Sequence, residues 1–154
     1  MTNLAEGQNA PDFTANSTIG EVSLTSLKGK NIVLYFYPKD STPGCTVEAK
    51  EFSELMKEFE KSNTIVLGVS KDSMSSHNKF IEKQCLTIPL VVDEQGELCQ
   101  KFDTWKKKSM FGREYMGIAR DTYLIDSQGV IRNIWKKVKP LGHAREVLEA
   151  VHTL

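Results

Sequence analysis

Apolar residues follow two patterns along the chain, namely short continuous runs and longer stretches in which they recur every three or four positions. The continuous runs predict buried strands at about 31–37, 64–69 and 88–92. Gly20 indicates a hairpin near the start of the chain. The segment 127–129, Ser-Gln-Gly between two further apolar runs, indicates a second hairpin.

Recurring apolar residues predict helices over about 43–61, 74–85 and 95–102, and a last helix near the end of the chain. The apolar faces of the first and last helices are formed by Phe52, Leu55, Met56, Phe59, Ala144, Val147, Leu148 and Val151. Strands that alternate with helices and then give way to a hairpin and a helix predict an α/β protein. Its mixed sheet is expected to carry helices on both faces.

Composition and charge narrow the class of protein. The chain has 154 residues, for which we expect a single domain over 1–154, and its 20 Lys and Arg balance its 20 Asp and Glu. Balanced charge favours neither nucleic acid nor an anionic membrane as a partner. No apolar run approaches the roughly 18 residues that span a bilayer. The opening residues 1–6 lack the pattern of a secretory signal, and three cysteines form no disulfide framework, so we expect a cytoplasmic protein.

One of the three cysteines, Cys45, lies where its chemistry is favoured. It follows the strand at 31–37 and precedes the first helix. Thr42 is a good N-cap residue and Pro43 suits the first helical position, so Cys45 falls in the first turn. Unpaired N–H groups and the positive end of the helix dipole stabilise an anion there, and the thiolate is the nucleophilic form of cysteine. This setting disfavours the usual role of a free cysteine as a small buried apolar residue.

The segment 35–46 resembles the active-site signature of the peroxiredoxins, Pro-x-x-x-Thr-x-x-Cys after an apolar strand. It is most similar to the bacterioferritin-comigratory protein (Q-type) subfamily. Three other segments match that subfamily in the same order along the chain, at 10–13, 109–120 and 122–126. The resemblance implies a thioredoxin-like fold. It also implies a thiol-dependent peroxidase for hydrogen peroxide and organic hydroperoxides that uses no haem, flavin or metal.

The resemblance also implies roles for individual residues. Cys45 would be the peroxidatic cysteine, which attacks a peroxide oxygen and becomes sulfenic acid. Donors to the developing charge would be the Thr42 hydroxyl, the backbone N–H groups of Gly44 and Cys45, and Arg120. By itself Arg120 is typical of a solvated surface residue, and only the match of its segment indicates a catalytic one. Pro38 would shield the thiolate from water, or it simply ends the strand.

The resolving step is where this sequence departs from its subfamily. Many members carry a second cysteine five positions after the first, and position 45 + 5 = 50 is Lys50 here. Cys85 is the best remaining thiol. Other members place the resolving cysteine at about the position of Ile81. Cys85 lies one helical turn beyond Ile81, so it is expected on a similar face. Resolving and buried packing are both open for Cys85, whereas Cys99 is expected to pack in the core. If neither resolves, the protein is a one-cysteine peroxidase reduced by an external thiol.

Glu48 lies three residues after Cys45 on the same helix face, where it can orient Arg120 or interact with the helix start. Its presence disfavours a disulfide reductase, because a C-x-x-C motif would need a cysteine at position 48. The histidines show no metal-ligand spacing with one another or with cysteine, so no metal site is expected. The lysine run 106–108 is expected to be a solvated loop, with attraction of an acidic partner as the alternative.

The expected reductant is thioredoxin or a similar dithiol, and we expect a monomer, with a weak dimer as the alternative. A different class of function is a peroxide-sensing thiol switch. Such a protein would also form sulfenic acid but would turn over poorly, so peroxide consumption in the presence of a reductant separates the two functions.

Overall fold

The computed structural model describes residues 4–154. Residues 1–3, which belong to the opening segment considered for a secretory signal, lie outside the described residues. The strands are β1 Thr14–Ser17, β2 Gly20–Ser23, β3 Asn31–Phe36, β4 Thr64–Ser70, β5 Leu90–Val92, β6 Trp105–Met110, β7 Arg113–Ile118, β8 Thr122–Ile125 and β9 Ile131–Trp135. The helices are α1 Pro43–Glu54, α2 Met56–Lys61, α3 Met74–Gln84, α4 Glu97–Lys101 and α5 His143–Val151.

A mixed sheet organises the molecule, as predicted. Its seven strands lie in the order β2-β1-β5-β4-β3-β8-β9. β3 and β5 run parallel to β4, while β1, β8 and β9 pair with their neighbours in antiparallel fashion. The two expected hairpins are present as β1–β2 and β8–β9. β3 lies inside the sheet between β4 and β8, and the chain that leaves its carboxyl end at Phe36 continues into α1.

Successive residues of β3 point to opposite faces of the sheet, and both faces are buried. On one face Val33 and Tyr35 belong to a core that includes buried residues of α1, α2, α3 and α5. On the other face Ile32, Leu34 and Phe36 belong to a second core that includes buried residues of α4. This arrangement explains why the apolar run of β3 is continuous rather than alternating.

The prediction of one helix over about 43–61 is wrong in its continuity. Leu55 lies between α1 and α2, with φ −98° and ψ 6°. Its N–H is 3.3 Å from the carbonyl oxygen of Glu51 and 3.2 Å from that of Phe52, so the last turn of α1 tightens before the chain continues into α2. The predicted apolar face is nevertheless correct, because Phe52, Met56 and Phe59 are buried in the same core and Leu55 packs against it.

The lysine run 106–108 lies in a strand, so the expected loop is wrong. β6 pairs with β7 in a hairpin outside the main sheet, with Lys108 opposite Tyr115. Phe111 and Gly112 form its two-residue turn, with φ of 52° and 77°, the positive values that a tight hairpin requires.

Within the described part of the chain, no helix is long and apolar enough to cross a membrane.

Candidate active site

The start of α1 determines the surroundings of Cys45. Thr42 is the N-cap, with extended backbone angles of φ −92° and ψ 156°, and Pro43 is the first helical residue. Cys45 is therefore in the first turn, where backbone N–H groups lack helical partners. Only 1% of the residue is exposed, and it packs into the core shared by the sheet and α1. The cysteine is buried, as an inert one would be, but it also meets a cation.

That cation is the guanidinium of Arg120. Its Nη2 donates a hydrogen bond to the Cys45 sulfur at 3.4 Å, and its Nη1 donates to Glu48 Oε1 at 2.9 Å. Arg120 lies between β7 and β8, and β8 pairs with β3, the strand that leads to α1. A hydrogen bond of 2.8 Å from the Phe36 N–H to the Asp121 carbonyl joins the two connections. The sheet therefore brings together residues that lie far apart in sequence.

Gly44 allows the guanidinium to approach the helix start. A Cβ atom at this position would lie 3.2 Å from Arg120 Nη2 and 3.5 Å from Pro140 Cγ. The first distance is tighter than ordinary van der Waals contact, so with a side chain here the Arg120 guanidinium would have to shift by a few tenths of an ångström. The sequence indicated a role for the Gly44 backbone in binding an anion. The structure adds a second role: because Gly44 has no side chain, the Arg120 guanidinium can lie close to the start of α1.

Glu48 is fully buried beneath Arg120, whose side chain is 18% exposed. Burial raises the pKa of Glu48 to about 7, although the charge and hydrogen bond of Arg120 act in the opposite direction. Burial alone would lower the pKa of Arg120, but the charges of Cys45 and Glu48 raise it above its usual value. Of the two interpretations of Glu48, the geometry favours the orientation of Arg120.

The buried carboxyl of Glu48 predicts a pH dependence of stability. It binds its proton more tightly in the folded than in the unfolded chain. This contribution to stability is therefore complete below about pH 4.5 and is lost as the pH rises through about 7. Relative to Glu48→Gln, the wild type should lose about 1–3 kcal/mol of unfolding free energy between about pH 5 and about pH 8. Urea denaturation at both pH values measures the difference.

Glu54→Gln is the matched control, because Glu54 is an exposed glutamate on the same helix. The wild type and this control should lose stability in parallel as the pH rises. A Glu48→Gln protein that follows the same pH profile as the wild type would show that Glu48 does not carry the buried proton.

Thr42 occupies the cap position, but its side chain does not cap the helix as the sequence suggested. Its hydroxyl instead donates a hydrogen bond of 2.9 Å to the Lys39 carbonyl oxygen. With its proton engaged in this way, the hydroxyl oxygen is an acceptor in this structure and not the donor to the peroxide that was expected. Pro38 follows the end of β3 and is exposed. Its role in shielding the thiolate stays a prediction.

Cys85 does not share the face of Ile81, and this correction has a clear cause. Cys85 is the C-cap of α3 and has a φ of 54°, so the chain has already left the helix there. The thiol is exposed, which rules out the buried packing considered for it. Cys99 is fully buried, as predicted. Burial and the adjacent Asp93 raise the pKa of Cys99, so its thiol stays protonated.

The exposed Cys85 lies beside the position where many relatives of the subfamily carry their second cysteine. Cys85 and Lys50 line the same surface cavity of about 410 Å³. Two hydrogen bonds fix the segment after Cys85 to α1, from the Thr87 N–H to the Ser53 hydroxyl at 3.0 Å and from the Thr87 hydroxyl to the Ser53 carbonyl at 3.1 Å. Cys85 therefore lies on the same surface of the protein as position 50.

Sequence reasoning missed two groups of residues at this end of the sheet. Lys108, on β6, is half-buried, and burial together with the positive charge of Arg120 lowers the pKa of Lys108. Asp40, Asp72 and His77 have their side-chain ligand atoms within 4.8 Å of one another. Asp40 lies in the connection between β3 and α1, Asp72 in the connection between β4 and α3, and His77 in α3, so no local spacing marks this cluster in the sequence.

The family model of the AhpC/TSA family matches residues 6–134. The chain belongs to the AhpC/TSA family. Peroxiredoxin Bcp of Bacillus subtilis is 48% identical to this chain over 146 residues, which cover 94% of this chain and 93% of that protein. Peroxiredoxin Bcp of Escherichia coli is 39% identical over 149 residues, 96% of each chain. This peroxiredoxin is therefore a thiol-dependent peroxidase, as its resemblance implied.

Solved structures agree with the fold. The Xanthomonas campestris bacterioferritin comigratory protein is 42% identical and superposes with a TM-score of 0.87, covering 92% of this chain and 90% of that one. A mutant of Xylella fastidiosa PrxQ is 38% identical, with a TM-score of 0.93 over 99% of this chain and 98% of that one. The expected thioredoxin-like fold of the peroxiredoxins is confirmed.

Proposed function

We propose that this peroxiredoxin reduces hydrogen peroxide and organic hydroperoxides at Cys45. The thiolate attacks the hydroxyl oxygen of the peroxide, so that an S–O bond forms as the O–O bond breaks. The products are Cys45 sulfenic acid and an alkoxide or hydroxide, which takes a proton to become an alcohol or water. Alkyl peroxide reduction activity is attributed to the Xanthomonas campestris relative, which supports organic hydroperoxides as substrates.

The observation that carries this proposal is the position of the Arg120 guanidinium. One arm donates to the Cys45 sulfur at 3.4 Å while the other is fixed by buried Glu48 at 2.9 Å. A cation held in this way stabilises the thiolate and the charge that develops on the peroxide oxygens. We assign to the Thr42 oxygen, whose own proton is donated to the Lys39 carbonyl, the role of accepting the hydrogen of the peroxide.

We propose that Cys85 resolves the sulfenic acid. Its thiol displaces water from the Cys45 sulfur, and the disulfide that forms is reduced by a dithiol such as thioredoxin. A disulfide requires Cα atoms within about 7 Å. Cys45 is buried in α1 and Cys85 is exposed at the end of α3, so the first turn of α1 or the end of α3 has to unwind. The cytoplasm, where such dithiols are kept reduced, is the compartment we propose.

Intact mass after one equivalent of peroxide tests the resolving step. The wild type should become a monomer lighter by two hydrogens, with a peptide that links Cys45 to Cys85. Cys85→Ser should stop at sulfenic acid, heavier by one oxygen, because no second thiol then reaches the oxidised sulfur.

Cys99→Ser is the matched control and should still form the disulfide, because Cys99 is sealed in the core. A lighter monomer from Cys85→Ser would assign resolution to Cys99. Sulfenic acid as the end product in the wild type would indicate a one-cysteine peroxidase or a sensor. Peroxide consumption is then measured with thioredoxin and thioredoxin reductase, and again with glutathione. A one-cysteine peroxidase turns over with one of these reductants, whereas a sensor turns over poorly with both.

A further inference from the structure

Asp40, two residues before Thr42, is a buried carboxylate with three donors around it. The Tyr37 hydroxyl donates to Oδ1 at 2.6 Å, the Ser76 hydroxyl donates to Oδ2 at 2.8 Å, and His77 Nδ1 lies 2.8 Å from Oδ2. The backbone N–H of Asp40 donates to Asp72 Oδ2 at 2.9 Å. Asp40 therefore fixes the connection between β3 and α1 to the segment after β4 and to the start of α3.

The ring of His77 determines where the proton of this contact lies. His77 is fully buried, and its Nε2 is 2.8 Å from the Val91 carbonyl oxygen, which only accepts, so Nε2 carries a hydrogen. Nδ1 then faces a carboxylate oxygen at hydrogen-bonding distance, and this contact requires a second proton between the two groups. The Asp40–His77 pair thus holds one proton inside the protein and links the active-site connection to β5.

The backbone around Asp40 needs such anchoring. Ser41, the next residue, has a φ of 62°, in the left-handed region that is unfavourable for residues other than glycine. Such a conformation persists where the surroundings impose it. Thr42 follows immediately, and its hydroxyl is turned back onto Lys39. The orientation of the Thr42 oxygen therefore depends on where Asp40 is held.

We propose that the buried Asp40–His77 pair is a positioning element of the peroxide step, which holds the 38–42 connection so that Thr42 meets the peroxide. The inference rests on the proposed reaction at Cys45. His77 and Asp40 act through Thr42 and do not touch the substrate. The side-chain oxygens and nitrogens of Asp40, Asp72 and His77 make hydrogen bonds within the protein. These hydrogen bonds explain why the three side chains lie close together without a metal ion.

Two reactions of Cys45 separate positioning from simple folding. Oxidation by hydrogen peroxide needs the aligned Thr42 and Arg120, whereas alkylation by iodoacetamide reports only the access and nucleophilicity of the thiolate. In a Cys85→Ser background, which removes the exposed thiol, His77→Leu should lower the peroxide rate constant by about tenfold to a hundredfold. The iodoacetamide rate constant should change by less than about threefold, because the helix start and Arg120 are retained.

Asp40→Asn tests rescue by a conservative change. Its amide can donate to His77 Nδ1 while Nε2 still donates to Val91, so the link persists without the shared proton. This variant should stay within about threefold of the background protein in both reactions. His152→Leu, at an exposed histidine after α5, is the matched control and should change neither rate.

Two results would overturn the proposal. The first is an unchanged ratio of the two rate constants in His77→Leu, whether neither falls or both fall in parallel. The second is an Asp40→Asn protein as slow as His77→Leu. Where His77→Leu yields no folded protein, His77→Gln supplies the comparison, because its amide can serve only one of the two acceptors. Failure of the proposed function itself looks different, because the background protein would then not form sulfenic acid at Cys45.

Discussion

Replacement of Cys45 by serine will leave no more than a few per cent of the wild-type peroxidase turnover. The hydroxyl of serine stays protonated near neutral pH and attacks the O–O bond poorly, whereas the thiolate is the reactive form of cysteine. Of the three cysteines, Cys45 alone accepts a hydrogen bond from Arg120. Consumption of hydrogen peroxide with a reductant in excess measures the loss, and circular dichroism checks that the variant is folded.

Cys99→Ser provides the comparison for this experiment. Cys99 is buried and has no hydrogen bond to Arg120, so its replacement can lower stability but should leave the turnover of the folded protein near that of the wild type. If Cys45→Ser kept most of its turnover, another thiol would be the nucleophile. The exposed Cys85 would be the first to test, and the proposed reaction at Cys45 would be wrong.

The features that the sequence predicted correctly are local ones. Thr42, Pro43 and Cys45 lie within one strand-turn-helix connection, so their backbone positions follow from short-range preferences for the helix start. The buried strands were also predicted, because a continuous apolar run such as that of β3 is compatible with few environments. Side-chain hydrogen bonds were less predictable. Thr42 takes the cap position, yet its hydroxyl bonds to Lys39.

Contacts between residues far apart in the chain could not be predicted from the spacing of residues in the sequence. Arg120 lies 75 residues after the sulfur it contacts and 72 after Glu48, and the family resemblance alone indicated its role. His77 and Asp40 are 37 residues apart, and nothing in either segment points to the other. Such pairs depend on the order of strands in the sheet, which a pattern of apolar residues does not specify.

Backbone details caused the other errors. A periodicity of three to four residues placed Cys85 on the face of Ile81, but the chain adopts a left-handed conformation at Cys85 and the periodicity ends there. The hairpin of β6 and β7 was missed because most of its side chains are exposed, so no apolar alternation marks the strands. Its turn at Phe111 and Gly112 was the signal available in the sequence.

The second large effect is expected at Arg120. Arg120→Ala removes the donor to the Cys45 sulfur and leaves Glu48 buried without its partner. The rate constant with hydrogen peroxide should fall by roughly one to three powers of ten, as for the loss of one preorganised donor. Rapid mixing of reduced protein with peroxide, in the absence of recycling, measures this step directly.

Arg120→Lys distinguishes charge from geometry. Lysine retains the positive charge, but a single ammonium cannot present two directed N–H arms in the fork that joins Cys45 to Glu48. We therefore expect Arg120→Lys to recover little of the lost rate. Arg132→Ala is the control, because that arginine pairs with Asp126 at the far end of β8 and should leave the rate unchanged. An Arg120→Ala protein that reacts with peroxide as fast as the wild type would make Arg120 a structural residue. In that case the backbone N–H groups of the first turn would have to stabilise the developing charge alone.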